Sequence, residues 1–143
     1  MNINDFRRLT HVFRWGGTGT RPDGTIENDC TSFCGTWVQF MTGIDAAAKH
    51  RGQYDDAASA ARIIKSYGGL VPLMSSGLEP LGFKRVQSPE TGDIGVITAL
   101  VGLGDEIKQI GAIRFGPLWL TLAPTGVAAK QAEHVAVWRM PNA

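Results

Sequence analysis

The stretch Asp29-Cys30-Thr31-Ser32-Phe33-Cys34-Gly35-Thr36-Trp37-Val38-Gln39-Phe40-Met41 decides how this chain is read. Cys30, Phe33, Cys34, Trp37, Val38 and Met41 follow the i, i+3, i+4, i+7, i+8, i+11 series, which gathers apolar side chains along one helical stripe. Asp29 is a natural N-cap, because its carboxylate can accept from the unpaired N–H groups of the first turn, and Gly43 is a natural stop. Cys30 therefore falls on the first turn, where the partial positive charge of those N–H groups favours a thiolate. The charge of Asp29 opposes this unless the carboxylate is spent on capping through Thr31 or Ser32. Two readings follow: Cys30 is a nucleophile, or Cys30 and Cys34 are small buried hydrophobes, as free cysteines commonly are.

Working outward, Ile3, Phe6, Leu9 and Val12 are spaced by threes and predict a short amphipathic helix over Asn2 to His11. Gly16 to Glu27, dense in Gly, Thr, Pro and Asp, reads as a loop. A second helix is predicted from Asp55 and Asp56 to Tyr67, ended by Gly68 and Gly69, with a short one over Leu70 to Leu78. Beyond Gly82 the character changes to runs rich in Ile, Val and Leu: Phe83 to Val86, Ile94 to Val101, Ile107 to Phe115, Leu118 to Ala123 and Val135 to Met140. The punctuation between them (SPETGD, GLGD, FGP, APTG) is turn chemistry. Helices first and strands afterwards predict one α+β domain over residues 1–143, its helices packed on one face of a C-terminal antiparallel sheet.

Composition narrows the function classes. A chain of 143 residues at this size buries enough surface to fold without metal or disulfide staples. Lys plus Arg total 14 and Asp plus Glu 13, so no basic face exists to drive nucleic-acid binding by counterion release. The longest apolar run, Ile94 to Leu103, is too short to cross hydrocarbon, and no membrane span is expected. The first twenty residues carry Arg7, Arg8 and Arg14 and lack a signal-peptide pattern, so no export leader is expected. Two cysteines do not make a tetrahedral zinc site, and neither a metal nor a phosphate-binding glycine loop is expected, so no cofactor is predicted.

Phe13-Arg14-Trp15-Gly16-Gly17, followed after a loop by Asp29-Cys30-Thr31-Ser32-Phe33, resembles the YxWGG and DCSGF signature of the NlpC-type cysteine peptidases, a papain-like clan. Gly92-Asp93-Ile94-Gly95-Val96-Ile97 is similar to that family's GD-plus-apolar strand. The resemblance implies a papain-like fold, Cys30 as nucleophile, and the peptide stem of bacterial cell wall as substrate. It also implies a histidine opening the next strand, where this chain has Gln109-Ile110-Gly111-Ala112-Ile113, and a polar third residue where it has Leu122. Gln109 has no basicity near neutral pH. Phe13 stands where the family has tyrosine.

Three histidines remain as sources of a base. His134 opens His134-Val135-Ala136-Val137-Trp138, similar to the family's histidine motif but well beyond the expected strand, while His50 in Lys49-His50-Arg51 and His11 read as solvated groups. Thr42-Gly43-Ile44-Asp45, Arg51-Gly52-Gln53-Tyr54 and Tyr67-Gly68-Gly69-Leu70 resemble a branch of the NlpC type found in tail gene clusters of bacterial viruses. That resemblance implies a bacteriophage tail-tip or hub-associated protein of the virion, degenerate in its catalytic residues, serving tail assembly or cell-wall contact. Its implied partners are tail hub or tail-tip proteins and peptidoglycan. The alternative is an active peptidoglycan endopeptidase that opens the wall for genome delivery, with Cys30 attacking a stem-peptide carbonyl and His134 shuttling the proton. A cysteine acyltransferase or amidase is a third reading.

Overall fold

In a computed structural model, residues 2–100 and 107–141 are described. The chain opens with α1 (Ile3–Arg7), held by a capping box in which Asn2 and Asp5 exchange side-chain and backbone hydrogen bonds. His11 leaves the predicted helix and begins β1 (His11–Phe13). The segment expected to be a loop carries two short strands, β2 (Gly19–Thr20) and β3 (Ile26–Asn28), and β3 pairs parallel with β1 and antiparallel with β2. Glycine and threonine dominate the composition there, but Ile26 is fully buried, and one buried apolar anchor is enough to order the ladder.

The helices then follow as α2 (Ser32–Thr42), α3 (Ala57–Ser66) and α4 (Leu70–Leu78), with 3₁₀ turns at Ala48–His50 and Glu79–Leu81. Asp56 caps α3 through the Ser59 N–H, and Gly43 ends α2 in the left-handed region at φ 81°. Six strands complete the chain: β4 (Lys84–Val86), β5 (Ile94–Leu100), β6 (Ile107–Phe115), β7 (Leu118–Ala123), β8 (Gly126–Lys130) and β9 (His134–Arg139). They form one antiparallel sheet in the order β4-β9-β5-β6-β7-β8. The run Gly126–Lys130, rich in small residues, was not expected as a strand; the tight turn after β7 folds it back as an edge. Val101 and the GLGD turn lie outside the described residues.

The protein is thus α+β, with an additional small sheet among its N-terminal elements. Strand alternation divides the large sheet into two faces. On the front, Ile94, Val96, Ile113, Leu120, Leu122, Ala136 and Trp138 pack with Phe6 of α1, with Phe33, Cys34, Trp37 and Val38 of α2, and with Leu70, Met74 and Leu78 of α4. On the back, Ile97, Ala112, Trp119 and Val137 form a second buried cluster. Asp93, also buried, ties the start of β5 to the end of β9: its carboxylate accepts from Arg139 Nε and Nη2 at 3.1 and 2.8 Å.

The ring of Trp119 reaches over to β5 at Gly95. A Cβ on Gly95 would fall 2.6 Å from its ring, so Gly95→Ala is expected to destabilise the fold by about 1–3 kcal/mol through overpacking, read as a lowered urea midpoint at unchanged slope.

Candidate functional site

The turn that carries Cys30 is built on Asp29. The regular helix begins at Ser32, two residues later than the pattern implies, so Cys30 stands in the turn just ahead of it. Asp29 nevertheless caps: its Oδ1 accepts from the Thr31 and Ser32 N–H groups at 3.1 and 3.0 Å, and its own N–H donates to Ser32 Oγ at 3.0 Å. The second oxygen, Oδ2, accepts from the Gly16 N–H at 3.2 Å and from the Tyr54 hydroxyl. Four donors therefore hold a carboxylate that is only 2% exposed.

The Gly16-Gly17 pair exists to let backbone reach this point. Gly16 sits at φ 69°, and a Cβ there would lie 1.9 Å from the Tyr54 carbonyl oxygen; one on Gly17 would lie 2.3 Å from that of Glu27. No side chain fits either place.

Arg51 locks the same region from the other side. Its guanidinium makes paired contacts with Asp45, Nε to Oδ2 at 2.6 Å and Nη2 to Oδ1 at 3.1 Å. It also donates to the Gly17 carbonyl at 2.9 Å, to Asn28 Oδ1 at 2.8 Å and to Thr36 Oγ1 at 2.8 Å. One planar fork thus joins the glycine pair, β3, α2 and the segment before α3.

The sulfur of Cys30 faces β6. A Cβ on Gly111 would come 3.2 Å from the Cys30 carbonyl and 3.1 Å from Cys34 Sγ, which shows how closely the helix start rests on that strand. Burial, with the Asp29 charge second, pushes the Cys30 thiol up to about 11; hydrogen bonds from Thr31 and the Gly111 N–H offset only part of this. The helix-terminus effect expected to favour a thiolate is outweighed by desolvation. Cys34 is driven higher still, chiefly by burial and then by Cys30 and Asp29, and it packs in the core. The Tyr54 hydroxyl is also raised, by burial first and then by the Asp29 charge and hydrogen bond, so it stays protonated as a donor.

Cys30 opens onto a cavity of about 370 Å³ between the start of α2, the inner sides of α3 and α4, and β6. Gln109 lines this cavity: it shares the front face of β6 with Gly111 and Ile113, two and four residues on. His134 does not line it. β9 pairs Ala136 with Val96 but His134 with Ile97, skipping Val135, and this bulge turns His134 to the back face, where its ring lies 6.3 Å from that of Trp119. The structure therefore places Cys30 and Gln109 on the lining of one cavity and leaves His134 across the sheet. Leu122, at the place of the expected orienting residue, is core.

Two histidines expected to be solvated are partly buried. His11 packs between the rings of Phe6 and Phe33, its Nε2 2.7 Å from the Phe6 carbonyl, and burial lowers its pKa. His50 lines the cavity, with Nε2 3.1 Å from the Tyr67 hydroxyl; burial, then the Lys49 charge, lowers its pKa, so it is neutral at pH 7. Tyr54, Arg51 and His50 were missed as site residues. Their one signal was a polar run between two helix patterns, which says nothing about where the run folds back. Among the described residues no three of His, Cys, Asp and Glu gather as a metal site, and no helix is long and apolar enough to cross a membrane.

No curated protein and no solved structure matches the chain significantly. A family model described as Domain of unknown function (DUF6950) matches residues 7–140, nearly the whole length, and the chain belongs to that family.

Proposed function

We propose that this chain is a bacteriophage tail protein, associated with the tail tip or hub, on a papain-like NlpC-type scaffold whose hydrolytic machinery has lapsed. It serves tail assembly or contact with the cell wall. The observation that carries the lapsed chemistry is the lining of the Cys30 cavity: β6 contributes Gln109 to it, an amide that neither takes nor gives a proton near neutral pH. Amide cleavage needs a thiolate and a proton donor for the leaving amine, and members of such a set act as a unit. Support for the scaffold comes from the Trp15-Gly16-Gly17 and Asp29-Cys30 motifs meeting at one carboxylate.

A second reading is favoured by His50, an imidazole on the wall of the Cys30 cavity. In it the protein is an active peptidoglycan endopeptidase, with Cys30 attacking a stem-peptide carbonyl and His50 as base. Incubation of purified cell wall with the wild type, Cys30→Ala and His50→Gln separates the two. We expect no release of soluble fragments by any of the three. Release by the wild type that is lost in both variants would establish the second reading. Virions made without the protein are expected to have absent or defective tails, and normal tails would sink the assembly role.

A further inference from the structure

The cavity at Cys30 is larger than a thiol needs. Its volume of about 370 Å³ falls in the range of small-molecule sites, roughly 300–1,000 Å³. α3 turns Ala57, Ala60 and Ala61 toward it, so the space is left open where larger side chains would close it. Ile64, Met74 and Leu78 supply the aliphatic wall.

The lining carries both signs of charge, but Arg51 is held by Asp45. Lys49 is in no ion pair among the described residues and holds its Nζ 5.8 Å from the centre of the Tyr67 ring. The lining carboxylate, Asp29, is already engaged by four donors. An aliphatic wall with the ammonium of Lys49 beside it selects an aliphatic molecule with an anionic end.

We infer that this cavity binds an acyl chain ending in an anionic group, the chain lying against α3 and α4 and the anion toward Lys49. The inference rests on the reading above, since a site without turnover holds such a molecule rather than consuming it. Headgroup-bearing lipid and free fatty acid share this chemistry.

Calorimetric titration of the full chain with dodecanoate and with dodecanol tests it. Dodecanoate is expected to bind. Ala61→Phe, which fills the cavity from an exposed helix position, is expected to weaken binding about tenfold or more. Lys49→Glu is expected to weaken dodecanoate severalfold and leave dodecanol unchanged, with thermal melts confirming that both variants fold. No binding to the wild type, or binding indifferent to both substitutions, overturns the inference. Competition by phosphatidylglycerol vesicles would assign the chain to a lipid, and failure to compete would assign it to free acid; both uphold the site. Wall digestion that depends on Cys30 would overturn the non-hydrolytic reading alone, whereas absent dodecanoate binding without wall digestion would overturn this inference alone.

Discussion

Replacing Gln109 by histidine is expected to raise the rate of Cys30 alkylation by iodoacetamide at pH 7 about 100-fold or more. In the wild type the thiol, pushed up to about 11 by burial and the Asp29 charge, is almost wholly protonated at neutral pH. Only the thiolate reacts, so the wild-type rate should climb about tenfold for each pH unit until it levels near pH 11. An imidazole at position 109 would sit on the wall of the cavity that Cys30 lines, where it is expected to accept the thiol proton and hold the resulting thiolate as an ion pair. The sign is fixed by that pairing: a neighbouring cation favours the charged form of sulfur, so the rising limb moves toward acid. Gln109→Asn serves as the control and should leave the profile in place, while Cys30→Ser should abolish labelling. A Gln109→His profile identical to the wild type would mean that this side chain does not reach the sulfur, and the lapsed-enzyme reading would lose its foundation.

The largest loss of stability is expected at Arg51. Arg51→Met should cost about 3–5 kcal/mol, because it leaves the Asp45 carboxylate without its cation and the Gly17 carbonyl, Asn28 Oδ1 and Thr36 Oγ1 each short of a donor. The side chains of the pair are only 11% and 18% exposed, so solvent cannot take over these contacts. Arg51→Lys should recover little of the loss, since an ammonium reaches fewer of these acceptors than the planar fork does. Urea unfolding followed by tryptophan fluorescence measures both. A loss below about 1 kcal/mol, the level of an exposed ion pair, would show that Arg51 is not the link between the glycine pair and α2. A double-mutant cycle with Asp45→Asn would apportion the ion pair within the total.

How far the residues alone reach can be seen at particular elements. α4 falls where the pattern places it, from Leu70 to Leu78, and α3 is capped by Asp56, because apolar spacing, caps and glycine stops are properties of neighbouring residues. The hairpin at Gly116 and the turn before Gly126 are legible for the same reason. β2, β3 and β8 were not, since their order comes from partners distant in the chain rather than from their own composition. At the site, Cys30, its cap Asp29 and the glycine pair were legible as a motif. Tyr54, Arg51 and His50 were not, because only chain reversal after α2 brings them back to Asp29 and to the cavity.

By itself the sequence determined the α+β class and the helix stripe behind Cys30. Only the tertiary structure decided the fate of His134. Simple alternation from Trp138 and Ala136 would have put it on the helix-covered face, but the bulge that skips Val135 shifts the register by one residue. A strand's side chains alternate with a period of two, so that single shift carries the imidazole through the sheet to Trp119, away from the sulfur. The tertiary structure likewise decided the protonation of Cys30, because the desolvation that outweighs the helix terminus comes from β6 packing against the turn.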